Sequence, residues 1–241
     1  MPALLEVEGL SKSFSGLRAA QDVTFAVGAG EIVALIGPNG AGKTTCFNMI
    51  AGVYRPDAGT VRLAGRRIDG QRPDQICRAG VGRTFQLVKP FAGLTVLDNV
   101  VVGALNACRT VGEARRLAEE VLDLLGLLAK RGHPAASLTL PERKRLEVAR
   151  ALATGPRILL LDEVMAGLRP TEVDLMVQVL RDLNSGRGIT ILVIEHVMRA
   201  VMALSLRVIV MHHGEIVAQG TPDEITRNPA VIESYLGEEA V

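Results

Sequence analysis

Residues 31–45, EIVALIGPNGAGKTT, narrow the choice of folds more than any other stretch of the chain. An apolar run of strand length leads into glycines at 37, 40 and 42, and a lysine and two threonines follow. The order fits the pattern GxxxxGK[ST], in which a strand feeds a glycine-rich turn that opens a helix. In that arrangement backbone amides converge on an anion at the helix N-terminus. Lys43 is then placed for the β- and γ-phosphates of a nucleotide, and the Thr44 hydroxyl for the shell of a magnesium ion. A plain glycine turn with an exposed lysine is the alternative, and the matched strand and helix context weighs against it.

RILLLDE and GITILVIE are further apolar runs, and they alternate with helical patterns. Continuous apolar strands of this kind belong to a mainly parallel sheet covered by helices, so the expected class is α/β. The 241 residues, 48% of them hydrophobic, suffice for one large domain, alone or with a subdomain. Residues 113–128 set Leu117, Val121, Leu124, Leu125 and Leu128 on one helical stripe, and residues 171–184 do the same with Val173, Met176, Val177, Leu180 and Leu183. Strand signals thin out over 88–152, which reads as a helical subdomain inserted between the two parts, 1–87 and 153–241, of the α/β core. LLEVEGL and AAQDVTFAV precede that core as antiparallel edge strands. RVIVMHHGEIVAQG reads as a hairpin, with His212 and His213 as turn residues. Thr221-Pro222 and Asn228-Pro229 each pair a cap residue with proline at a first helical position.

Charge balance excludes some functions. With 27 Lys and Arg against 26 Asp and Glu, a nucleic-acid coat or a polybasic membrane anchor is not expected. Cys46, Cys77 and Cys108 lack CxxC spacing, which fits a reduced compartment rather than a disulfide framework or a zinc site. Glu6, Glu8 and Lys12 interrupt any export signal, and the longest charge-free stretches span 11 residues, too few to cross a bilayer. Any service to a membrane is therefore expected to run through a partner, from the cytoplasmic side.

Four more places carry chemistry. Asp162 and Glu163 end the strand ILLLDE, where parallel strands present ligands; Asp162 is placed for magnesium and Glu163 as general base toward an attacking water. His196 ends the strand GITILVIE and is either a γ-phosphate donor or a simple polar cap. Gln86, in VGRTFQ, is a loop glutamine unless the fold brings it to the metal. In LTLPE, residues 138–142, Thr139 and Glu142 stand at capping-box spacing, and Pro141 is tolerable in a first helical turn.

GPNGAGKTT, RTFQ, a helix start before RLEVARAL, LLLLDE and a strand ending in EH follow in that order, and together they resemble the ATP-binding subunit of an ABC transporter over essentially the whole chain. RTFQLVKPFAGLTVLDNV, VMAGLRPTEV and the tail ITILVIEHVMRAVM with GTPDEI and VIESYLG are similar to the Liv-type subunits of branched-chain amino acid importers. The resemblance implies that Gly37, Pro38, Asn39, Gly40, Ala41, Gly42, Lys43, Thr44 and Thr45 bind ATP, and that Phe14 in SKSFSG stacks on adenine. It implies that Gln86 touches Mg2+ and couples to the permease, that Asp162 and Thr44 join the metal site, and that Glu163 and His196 serve hydrolysis. Thr139, Leu140, Pro141 and Glu142 then stand for the LSGGQ signature that faces the nucleotide of a second ATPase subunit, identical or different. Leu140 and Pro141 replace both signature glycines, and Arg169 in VMAGLRP replaces an aspartate common among relatives.

The expected function is the ATP-hydrolysing motor of an importer for branched-chain or related amino acids, held at the inner face of the membrane by transmembrane permease subunits. An exporter or lipid-transport motor is the alternative within the family. A soluble ATPase acting on nucleic acid or ribosomes is the alternative outside transport. Such relatives carry a long insertion or a second cassette, whereas only 95 residues separate Lys43 from Thr139 here.

Overall fold

The computed structural model describes residues 3–84 and 90–236. Gln86 therefore lies outside the described residues. Three consecutive apolar runs become β3 (Ile32–Ile36), β7 (Ile158–Asp162) and β8 (Thr190–Ile194), each buried along its whole length. They share a sheet of order β10-β9-β3-β8-β7-β6 with β6 (Val81–Arg83), β9 (Arg207–His212) and β10 (Glu215–Gly220). All neighbours run parallel except the β9–β10 hairpin.

The alternation of side chains across a strand explains why these runs have no polar face. Ile32, Ala34 and Ile36 of β3 pack into one core, with Leu159 and Leu161 of β7 and Ile191 and Val193 of β8. Val33, Leu35, Leu160, Leu192 and Ile194 point into a second core on the opposite face. The second core is closed by α1 (Lys43–Ile50) and by an antiparallel sheet of order β2-β1-β4-β5. That sheet consists of β1 (Ala3–Phe14), β2 (Leu17–Gly28), β4 (Ala58–Leu63) and β5 (Arg66–Arg67). The two N-terminal segments thus pair antiparallel with each other, in a sheet of their own rather than along the edge of the parallel one.

Helices close the first core: α3 (Val96–Ala104), α4 (Val111–Leu124), α5 (Leu140–Ala153), α6 (Pro170–Arg187) and α7 (Met198–Leu204). The remaining helices are α2 (Pro73–Ala79), α8 (Pro222–Thr226) and α9 (Pro229–Leu236). On α6 the expected stripe is buried, from Val173 to Leu183. Of the stripe expected on α4, Val121 and Leu125 are buried, Leu117 and Leu128 pack half-buried against the core, and Leu124 is 42% exposed, while Ala114, Ala118 and Leu122 widen the buried face. The helix also ends at Leu124, and Leu128 falls in a separate short 3-10 turn.

Candidate functional site

β3 delivers the chain to the glycine loop and α1 receives it at Lys43. Both ends of the loop press against other backbone. A Cβ on Gly37 would stand 2.0 Å from the Met211 carbonyl oxygen, and one on Gly42 2.2 Å from that of Ala19. Their φ angles, 147° and 99°, are ones that L side chains rarely adopt. Glycine is thus required twice, by space and by backbone. Lys43 Nζ donates to the carbonyls of Gly37, at 2.6 Å, and Pro38, at 2.7 Å, so its ammonium stays folded over the loop it serves.

The loop forms the floor of a cavity of about 530 Å³. Asn39, Gly40, Ala41, Gly42, Lys43, Thr44 and Thr45 line it, and Glu163 reaches it from the end of β7. Sequence patterns missed Arg18 and Gln21 of β2 and His213 of the β9–β10 turn, which line it too. The His213 turn packs on the loop through Gly214 N–H, which donates to the Ala41 carbonyl. Phe14 is not among the lining residues. It is 39% exposed, so it is not a core residue, and the Tyr54 ring meets it edge-on at 5.1 Å.

Asp162 is buried at the carboxyl end of β7, 1% exposed, and neither carboxylate oxygen has a hydrogen-bond partner among the described residues. Arg83 stands 3.5 Å away, an ion pair rather than a tight hydrogen bond, and is itself tied to Asn48. Burial raises the Asp162 pKa, with Arg83 and Lys43 pulling it down and Glu163 pushing it up. Asp162 itself does not line the cavity, which its neighbour Glu163 reaches. A buried carboxylate at the end of a strand beside the glycine loop fits a hard oxygen-seeking cation. Among the described residues no group of three or more His, Cys, Asp or Glu forms a stand-alone metal cage.

Glu163 has a φ of 50°, a left-handed conformation uncommon outside glycine. Its N–H donates to the Ile194 carbonyl at 2.9 Å, and its own carbonyl accepts from Lys144 Nζ at 2.7 Å. His196 is not a lining residue, but its Nδ1 stands 4.0 Å from Glu163 Oε1 with the side chain 60% exposed. That distance exceeds a hydrogen bond, and a small shift of the exposed ring would change it.

Between these residues lies Glu195, buried, with Oε1 accepting from Met165 N–H at 2.8 Å and Oε2 without a hydrogen-bond partner among the described residues. Burial pushes its pKa up to about 7, with Glu163 adding to the rise and the Met165 N–H and Lys144 opposing it. The folded chain therefore holds a proton that the unfolded chain has released. Stability present below the ordinary value of 4.5 is lost as pH rises toward about 7. The slope from this group is at most about 1.4 kcal/mol per pH unit. Glu195→Gln keeps the acceptor for Met165 and has no charge to desolvate, so chemical denaturation should show it gaining stability relative to the parent as pH rises through that window. A difference that stays constant with pH would contradict this.

LTLPE sits elsewhere in the single chain. Thr139 is the N-cap of α5, and the Glu142 carboxylate accepts from Thr139 N–H at 3.0 Å and from Lys130. Burial raises the Glu142 pKa, but Lys130 and Thr139 outweigh it and hold the carboxyl below its ordinary value. None of Thr139, Leu140, Pro141 and Glu142 lines the cavity. Arg169 caps α6 through its own N–H to Glu172, and its guanidinium is exposed.

A family model described as "ABC transporter" matches residues 20–166, and one described as "Branched-chain amino acid ATP-binding cassette transporter" matches residues 215–241. The chain is 42% identical to the high-affinity branched-chain amino acid transport ATP-binding protein LivG of Salmonella typhimurium, covering 98% of each chain. It is 37% identical to the lipopolysaccharide export system ATP-binding protein LptB of Acidithiobacillus ferridurans, covering 99% of each. Among solved structures, the dimeric post-hydrolysis state of the ATP-binding cassette MJ0796 bound to ADP and Pi aligns with a TM-score of 0.82 and 25% identity, over 90% of this chain and 98% of that one. With a glycine loop and a carboxylate-tipped strand meeting in one cavity, and with these matches across its length, the chain belongs to the ATP-binding cassette family, the ATP-hydrolysing subunits of ABC transporters.

Proposed function

We propose that this chain is the ATP-driven motor of an importer for branched-chain or related amino acids, working as a dimer on separate transmembrane permease subunits. The observation that carries the motor is Glu163 facing the glycine loop across one cavity. The choice of cargo is supported by the LivG relative and by the branched-chain family model over 215–241, which the export relative does not outweigh.

ATP phosphates lie against the amides of residues 37–45, and Lys43 turns from the Gly37 and Pro38 carbonyls to the β- and γ-phosphates. Asp162 and Thr44 would hold Mg2+, joined by Gln86, and the ion would neutralise charge building on the phosphates. Glu163 accepts a proton from water as the water oxygen bonds to the γ-phosphorus. The bond from that phosphorus to the bridging oxygen breaks, and ADP and inorganic phosphate leave. His196 donates a hydrogen bond to the γ-phosphate, and Phe14, backed by Tyr54, stacks on adenine. The helices α3 to α5 form a subdomain over residues 88–152 that meets the permease, near the exposed Phe91 and Leu94. No helix among the described residues is long and apolar enough to cross a membrane, so attachment at the inner face runs through that permease.

Thr139 to Glu142 lie off this cavity and face the nucleotide of the other subunit. Pro141 has no amide hydrogen, and one hydrogen bond to a charged group contributes about 1.5 to 3 kcal/mol. The dimer is therefore a heterodimer whose partner supplies an intact signature to Lys43 and Glu163. Pro141→Gly, in a Glu163→Gln background that traps ATP, should strengthen ATP-driven dimerisation in gel filtration; equal or weaker dimerisation would show that the missing donor is not limiting. The proposal as a whole is tested by purifying the chain from membranes with its bound permease and assaying that permease for uptake. Leucine, isoleucine or valine uptake is expected, and a permease that only exports would contradict it.

A further inference from the structure

Glu163 is held in its left-handed conformation from two sides, and the two holds come from different parts of the fold. β8 takes its N–H through the Ile194 carbonyl, and α5 takes its carbonyl through Lys144 Nζ. Lys144 is buried on the second turn of α5, five residues beyond the helix cap Thr139. Burial pulls its pKa down, while Glu195, Glu163, Asp162 and Glu147 pull it up. The ammonium donates a hydrogen bond to the Glu163 carbonyl.

We propose that Lys144 is a positioning residue, which fixes the direction of the Glu163 side chain by clamping its carbonyl and ties that direction to the placement of α5. This rests on Glu163 being the base proposed above. A left-handed residue reverts readily to ordinary backbone angles when the contacts that over-determine it are removed. A change of φ at Glu163 swings the whole carboxylate, and an ångström of misplacement is enough to cost about 100-fold in a proton-transfer step. The start of α5 is the segment that faces the second subunit's nucleotide, so one rigid helix carries a contact with one ATP at its first turn and a clamp on the base for the other ATP at its second. The two sites are thereby coupled through Lys144, without any other moving part.

The test compares Lys144→Met, Lys144→Arg and Glu163→Gln in the chain assembled with its partner ATPase and permease. Lys144→Met should lower kcat about 10- to 100-fold with KM for ATP unchanged, and Lys144→Arg, which keeps a charged donor, should recover most of the loss. In the Glu163→Gln background, Lys144→Met should lower residual turnover no further, because the group it positions is already gone. Wild-type kcat in Lys144→Met, or an equal loss in both backgrounds, would overturn the proposal. If Lys144→Met does not fold, Lys144→Gln, too short to reach the carbonyl, is read against the same outcomes. Near-normal turnover in Glu163→Gln alone would instead remove the base assignment, and so separates failure of that reading from failure of this one.

Discussion

Glu163→Gln should slow steady-state ATP turnover by about 100- to 10,000-fold, the usual contribution of a general base, while ATP still binds. The substitution is nearly isosteric, and the contacts that set the backbone at this position, from Ile194 and Lys144, are made to its N–H and carbonyl rather than its side chain. The cavity keeps its shape. What changes is the group facing the attacking water, since an amide does not take up the proton. ATP accumulates bound, and a dimer closed around it should become isolable. Stopped-flow release of phosphate, read beside equilibrium nucleotide binding, measures both halves. Near-normal turnover would show that Glu163 is not the base.

Lys43→Ala should lower ATP affinity by at least about 10- to 100-fold, the equivalent of one charge-assisted hydrogen bond of roughly 1.5 to 3 kcal/mol. The phosphates lose their ammonium, while the donor to the Gly37 and Pro38 carbonyls, which turns away on binding, is lost from the free loop alone. Calorimetric titration with ATP checks this directly, and unchanged affinity would mean that the loop binds nucleotide through its amides alone.

The parts of this site that could be read from sequence are those set by local chemistry. A glycine loop after an apolar strand leaves few conformations open, and Gly37 and Gly42 do occupy the positions that a Cβ would block. Asp162 and Glu163 were legible because a parallel strand buried on both faces has to end somewhere polar. The helix cap at Thr139 and the hairpin before Gly214 were legible for the same local reason.

Residues that act across long separations were not. Arg83 meets Asp162, and Lys144 meets the Glu163 carbonyl, only because β6 and α5 pack beside β7. Neither residue belongs to a spaced pattern. Glu195 belongs to no spaced pattern either, and the turn after Glu163 closes over it, with Met165 N–H donating to its carboxylate. His213 reads from sequence only as a turn residue, and it lines the cavity because Gly214 ties the turn to Ala41. On α4 the buried face includes Ala114 and Ala118, which carry little periodic signal, and leaves Leu124 of the expected stripe exposed.

ATP turnover of the chain, reconstituted in vesicles with its second ATPase subunit, permease and substrate-binding protein, should rise when leucine, isoleucine or valine is added, and Glu163→Gln should abolish that turnover together with uptake. Turnover indifferent to the amino acid, or uptake that persists in Glu163→Gln, would show that hydrolysis at Glu163 does not drive import.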